Sequence, residues 1–176
     1  MSIVDLKPDN VGFTSDGSLK LFDFGLATCV RSRISPAEAY TMTGYTGSLR
    51  YMAPEVALRQ PYTEKVDVYS FGIMVWQMAR DRVPFKGYAK DNFMKQVVVN
   101  GERPKLDSSW PPSFTDLLTR CWCKDPKVRP SFEAIKGELD ILIGEVLDNK
   151  SGRGKKVKMM KGKSESIIKS PTSNWF

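Results

Sequence analysis

Between residues 64 and 80 apolar side chains fall nearly all round a helical wheel: Val66, Val68, Tyr69, Phe71, Ile73, Met74, Val75, Trp76 and Met78. A helix with one apolar stripe lies on a surface, whereas one that is apolar on every side has to be surrounded. This segment is therefore expected to be central, with the remaining elements packed about it. Residues 88–100 predict a further helix. Residues 113–124 place Phe114, Leu117, Leu118, Cys121 and Trp122 at helical spacing. Ser131 is the expected cap of a last helix, with Phe132, Ile135, Leu139, Leu142 and Ile143 on its inner face. Pro84, Pro104, Pro111, Pro112, Pro126 and Pro130 mark the joins.

The N-terminal part reads differently. Val11 and Phe13 alternate with smaller residues, Asp16-Gly17 is a hairpin signal, and Leu19 and Leu21 resume the alternation. Residues 23–55 are rich in Thr, Ser, Gly and Tyr with little periodicity. That predicts a long loop, and long loops in compact domains are usually functional. The expected fold class is mainly α with a small β-hairpin.

The charge of the chain is divided unevenly. Net charge is +7 over 176 residues, yet from residue 149 onward there are eight basic residues and one acidic, leaving 19 of each before it. The body is neutral and the excess sits in a Ser-, Gly- and Lys-rich end. Residues 1–147 are expected to be the domain and residues 148–176 a basic, disordered tail. Such a tail could meet anionic partners. No aromatic residue is interleaved until Trp175-Phe176, so specific nucleic-acid binding is not expected. No apolar run reaches membrane-spanning length and no leader pattern is visible. With Cys29, Cys121 and Cys123 as an odd, small set and no histidine, free packing cysteines are expected rather than a zinc site. The expected location is cytoplasmic, with the nucleus as a further option.

Three short motifs carry the chemistry. Asp5-Leu6-Lys7-Pro8-Asp9-Asn10 comes first, then Asp23-Phe24-Gly25, then Ala53-Pro54-Glu55. Each alone is weak; the first is good turn chemistry by itself. In this order and at these gaps they resemble the catalytic loop, the metal-binding loop and the end of the activation segment of a eukaryotic protein kinase. The resemblance covers about residues 3–147. It implies the kinase large C-terminal lobe, without the β-rich N-terminal lobe, and transfer of the ATP γ-phosphoryl group to protein Ser or Thr hydroxyls.

The resemblance also implies roles. Asp5 would accept the substrate hydroxyl proton, and Lys7 would place positive charge by the transferred group and the nucleotide phosphates. Asn10 and Asp23 would supply oxygen ligands to Mg2+, which also uses ATP phosphate oxygens. Phe24 and Gly25 complete the metal-binding loop. Asp67, in Asp67-Val68-Tyr69-Ser70-Phe71-Gly72, would hold the catalytic loop through its backbone amides. Arg129 would pair with Glu55. Thr46 would contact Asp5 and Lys7 from the substrate-docking loop. Lys7 and the Thr46–Met52 stretch resemble the serine/threonine type. Tyr69–Ile73 and Arg120-Cys121-Trp122 look closest to the tyrosine-kinase-like group. Thr41, Thr43 and Ser48, with Tyr45 and Thr46, are candidate phosphosites in the same loop.

The pattern breaks in two places. Ile3 and Val4 stand where the family has His-Arg, either as substitutions or because His-Arg is deleted. No glycine-rich loop, strand lysine or partner glutamate precedes Asp5. The expectation is an exposed apolar surface and a chain that alone transfers no measurable phosphate. The alternative function is a catalytically inactive, kinase-like scaffold or binding module.

Overall fold

The computed structural model describes residues 5–25, 27 and 48–160, with side chains to residue 148. It opens on a 3-10 turn, Pro8–Asn10, where proline presets the first dihedral. The turn leads into β1 (Val11–Phe13), which pairs antiparallel with β2 (Leu19–Leu21) in the register Val11↔Leu21 and Phe13↔Leu19. The bend is the turn Thr14–Gly17, closed by the Gly17 amide donating to the Thr14 carbonyl at 2.9 Å, with Asp16-Gly17 as its second half. Gly17 takes the left-handed φ of 81° that glycine accepts without strain. The Asp16 carboxylate accepts from the Thr14 hydroxyl and from the Ser18 amide. The 3-10 turn Ser48–Tyr51 and the short helix α1 (Pro54–Ala57) interrupt the expected loop at its C-terminal end.

The helix α2 (Lys65–Arg80) is the centre of the first of two compact units, Met1–Glu138. Val66, Val68, Tyr69, Ile73, Met74 and Trp76 are all buried, and only the far end departs from the all-round pattern, with Met78 64% exposed. One core joins Tyr51, Ala53, Val56, Tyr62, Val66, Tyr69, Ile73, Trp76, Leu118 and Trp122. The Ser70 hydroxyl donates to the Tyr51 carbonyl at 2.7 Å, tying α2 to the segment before α1. Helix α4 (Pro112–Cys121) comes so near α2 at Gly72 that a Cβ there would lie 2.7 Å from the Cys121 Cβ. Burial pushes the Cys121 thiol up to about 12.

The helix expected over 88–100 begins as α3 (Lys90–Phe93) and continues as a π-helix, Met94–Val99. Wider i→i+5 turns bring Phe93, Val97 and Val98 onto one face, where they form a second buried cluster. An α-helix would turn adjacent Val98 away from that face.

Ser131 caps α5 (Phe132–Met160) by accepting from the Ala134 amide at 3.2 Å. Ile135 is buried, but Phe132 is largely exposed, its ring edge-on to Phe71. The second compact unit, Leu139–Phe176, is helical from Leu139 to Met160. In it Leu142 is buried, whereas Ile143, expected on the inner face, is exposed beside Ile141, Val146 and Leu147. Helix α5 ends at Met160, inside the basic stretch that starts at 148. Extending a formed helix costs far less than nucleating one, and the lysines and methionines here are good helix formers. No helix of the described residues is long and apolar enough to cross a membrane.

Candidate functional site

The 3-10 turn at Pro8 folds Asn10 back onto Asp5. The Asn10 Nδ2 donates to the Asp5 carbonyl at 2.9 Å and to its carboxylate Oδ2 at 3.2 Å. The Lys7 ammonium reaches the same Oδ2 at 2.6 Å. Asp5 and Asn10 are buried and the Lys7 side chain is 18% exposed. One carboxylate is thus held by an ammonium and an amide, all from a six-residue run. Because the amide nitrogen of Asn10 faces Asp5, its carbonyl oxygen is turned away from Asp5.

The hairpin decides where Asp23 falls. The Phe22 amide donates to the Asn10 carbonyl at 2.8 Å, which extends the ladder one pair past Val11↔Leu21. Asp23 therefore leaves the hairpin at the end where Asn10 enters it, although 13 positions separate them in sequence. The Phe22 ring lies over Gly12, where a Cβ would meet it at 2.7 Å. Asp23 adopts a left-handed φ of 56° and its Oδ1 accepts from the Gly25 amide at 3.2 Å. Aspartate is among the few non-glycine residues that tolerate this region. Phe24 is half exposed, as are Phe22 and Leu19, and Phe13 is mostly exposed.

The oxygens of Asn10 and Asp23 are hard donors of the kind that suits a small divalent cation. Among the described residues no three His, Cys, Asp or Glu side chains converge as a metal site.

A second constellation centres on Arg129. Arg129 is 1% exposed and grips Glu55 through Nη1–Oε1 at 2.6 Å and Nη2–Oε2 at 2.9 Å. Its Nε donates to the Cys123 carbonyl at 2.9 Å and its Nη1 to the Lys65 carbonyl at 3.0 Å. Lys65 in turn donates to the Arg129 and Pro130 carbonyls. The Tyr69 ring meets the guanidiniums of both Arg129 and Arg103, at 5.2 and 5.1 Å. Nothing local in the sequence marks Lys65 or Arg103, whose partners are distant carbonyls and a ring, and Tyr69 reads there as an apolar core residue and family marker rather than as the ring between two guanidiniums. Asp67 is buried in the first turn of α2.

Ser48 opens the 3-10 turn before α1. Thr41, Thr43 and Thr46, like Ile3, Val4 and Cys29, lie outside the described residues.

The family model described as the protein kinase domain matches residues 2–138. Among curated proteins, the chain is 37% identical over 136 residues to Serine/threonine/tyrosine-protein kinase HT1 of Arabidopsis thaliana, covering 77% of the chain and 33% of that protein. To Serine/threonine-protein kinase STY17 of the same plant it is 36% identical over 151 residues, covering 86% and 25%. To human Mitogen-activated protein kinase kinase kinase 7 it is 41% identical over 133 residues, covering 74% and 21%. The chain spans a third or less of the length of each.

Proposed function

This chain belongs to the protein kinase domain family, and on that premise we propose that it carries the phosphoryl-transfer centre of a serine/threonine protein kinase. Its substrates would be ATP and protein Ser or Thr hydroxyls. The observation that carries this reading is the buried Asp5 carboxylate, fixed by Lys7 and Asn10 at the open end of the hairpin from which Asp23 emerges.

Phosphoryl transfer asks a protein mainly for positioning and charge. Asp5 orients the acceptor hydroxyl and takes its proton at a carboxylate oxygen as the new bond forms. Lys7, already beside that carboxylate, presents positive charge where the transferred group carries negative charge. Asn10 and Asp23 would hold Mg2+, which would neutralise phosphate charge when bound. Glu55 and Arg129 touch none of the reacting atoms and fix α1, and with it the end of the activation segment, to the core. Thr46 contacts Asp5 and Lys7 in this reading, and Thr41, Thr43 and Ser48 are sites where a phosphate would regulate the segment. Location in the cytoplasm or nucleus belongs to the same reading.

The test uses the protein at its full cellular length, incubated with labelled ATP, Mg2+ and a generic acceptor protein. Label on Ser and Thr that disappears with Asp5→Asn and with Asp23→Ala supports the proposal. Incorporation unaffected by both substitutions refutes it. The exposed apolar side chains of the hairpin and the turn after it, Phe13, Leu19, Phe22 and Phe24, favour a second reading as a kinase-like binding module. Stable partner capture without any phosphate transfer would select it.

A further inference from the structure

On the first unit, away from Asp5, a pocket of about 300 Å3 opens between the C-terminal end of α2, the loop that follows, and residues 102–105. That volume is at the lower limit of small-ligand sites, about 300–1,000 Å3, and suits one side chain better than a whole cofactor. Two features of its lining belong together.

The first is aromatic. Trp76 is fixed by donating its Nε1–H to the Lys105 carbonyl at 3.0 Å. Phe85 packs edge-on to Phe93 with centroids 5.2 Å apart and tilted against Tyr88 at 6.0 Å. Phe85 holds a left-handed φ of 52°, a conformation that a bulky residue adopts only when its surroundings impose it. The chain thus accepts local strain that sets this ring in the pocket wall.

The second is charge. Four cations line the pocket: Arg80, Arg82, Arg103 and Lys105. Arg80 is paired with Asp107. Arg103 donates to the carbonyls of Trp122, Val97 and Glu102 and lies over the Tyr69 ring, and among the described residues it pairs with no carboxylate. Arg82 and Lys105 are exposed and bond to no side chain among the described residues. The one carboxylate in the lining, Glu102, accepts the Tyr88 hydroxyl at 2.7 Å. Four cations and one carboxylate line the pocket, and Asp107, outside the lining, pairs with one of the four.

We propose that this pocket binds the side chain of a phosphotyrosine presented by a partner protein. Its ring fits against Phe85, Tyr88 and the edge of Trp76 in offset or edge-on contact. Its phosphate carries about −1.5 to −2 charges at neutral pH, which matches the excess of cations and the fork of Arg82. Phosphoserine has the charge and lacks the ring, and tyrosine has the ring and lacks the charge. The pocket discriminates against both. The site is independent of chemistry at Asp5.

The test is fluorescence polarisation with the 176-residue chain and three labelled peptides of one Gly/Ser-rich sequence, carrying phosphotyrosine, tyrosine or phosphoserine at the centre. The phosphotyrosine peptide is expected to bind about tenfold or more tightly than either other, and phenyl phosphate to compete. The double variant Arg82→Ala, Lys105→Ala is expected to weaken it about tenfold or more. Both residues are exposed, so thermal melting should not change, and each single variant is read separately if the pair disturbs folding. Asp5→Asn leaves binding intact. Absence of binding, equal binding of the phosphoserine peptide, or full binding by the folded variants overturns the proposal.

Discussion

Arg129 and Glu55 meet through two parallel hydrogen bonds, 2.6 and 2.9 Å long, across 74 positions of sequence and almost wholly out of water. The guanidinium also caps two carbonyls, so four donor contacts from one side chain join α1, the start of α2 and the loop before α5. Removing either member leaves the other charge buried and uncompensated. Glu55→Ala or Arg129→Ala is expected to cost about 3–5 kcal/mol. Arg129→Lys should recover little, because an ammonium cannot bond both carboxylate oxygens and both carbonyls in this fork geometry. Urea denaturation midpoints would measure this, and a loss under about 1 kcal/mol would mean water relieves the pair.

Gly72 is required by contact rather than by conformation. A Cβ there would sit 2.7 Å from the Cys121 Cβ, where α4 crosses α2. Neither atom is the end of a flexible chain, so one helix must shift. Gly72→Ala raises helix propensity, yet it is expected to destabilise by about 1–3 kcal/mol through overpacking. Gly72→Ala with a melting temperature equal to or above the parent would show that the crossing relaxes freely.

Tyr69 is fully buried and its hydroxyl has no hydrogen-bond partner among the described residues. Burial raises its pKa from 10.0 to about 12. Between those values the folded chain keeps a proton that the unfolded chain has released. Stability from this group is complete below pH 10 and falls as pH rises towards 12, by about 2–3 kcal/mol in all. Cys121, raised from 9.0 to about 12, acts in the same direction from pH 9 upward. Tyr69→Phe keeps the ring beside Arg103 and Arg129 and deletes the unpaired hydroxyl. It is expected to be neutral or stabilising by about 1 kcal/mol near pH 7. Its stability should also fall less steeply than the parent's in chemical denaturation repeated across pH 9–12. A clear loss at neutral pH would reveal a partner for the hydroxyl, such as a buried water.

At Asp5 the expected effect is on rate and not on folding. Asp5→Asn retains the shape and removes the base and one member of its pair with Lys7. Phosphate transfer by the full-length protein is expected to fall about 10²–10⁴-fold. Asn10→Ala should act on folding as well as rate, since it releases the 2.9 Å bond that closes the turn onto the Asp5 carbonyl. Substrate titrations with both variants would separate loss of turnover from loss of binding.

Local chemistry was legible from the residues themselves. Asp16-Gly17 bends the hairpin, Ser131 caps α5, and the Asp5–Asn10 run closes on itself, because each depends on partners within a few positions. The apolar density of residues 64–80 was sufficient to predict a central helix, since burial on all sides leaves no other place for it. The pairing of Glu55 with Arg129 was accessible only through family resemblance. Packing decided the rest. The π-turns at Met94–Val99 exist because Phe93, Val97 and Val98 share one buried face. Gly72 is needed because a second helix crosses there, and Tyr69, Arg103 and Arg129 converge from three distant segments. Sequence alone thus fixed what short-range hydrogen bonding and turn geometry dictate. The tertiary structure decided which distant groups share a buried volume, because that depends on how whole elements fill space together.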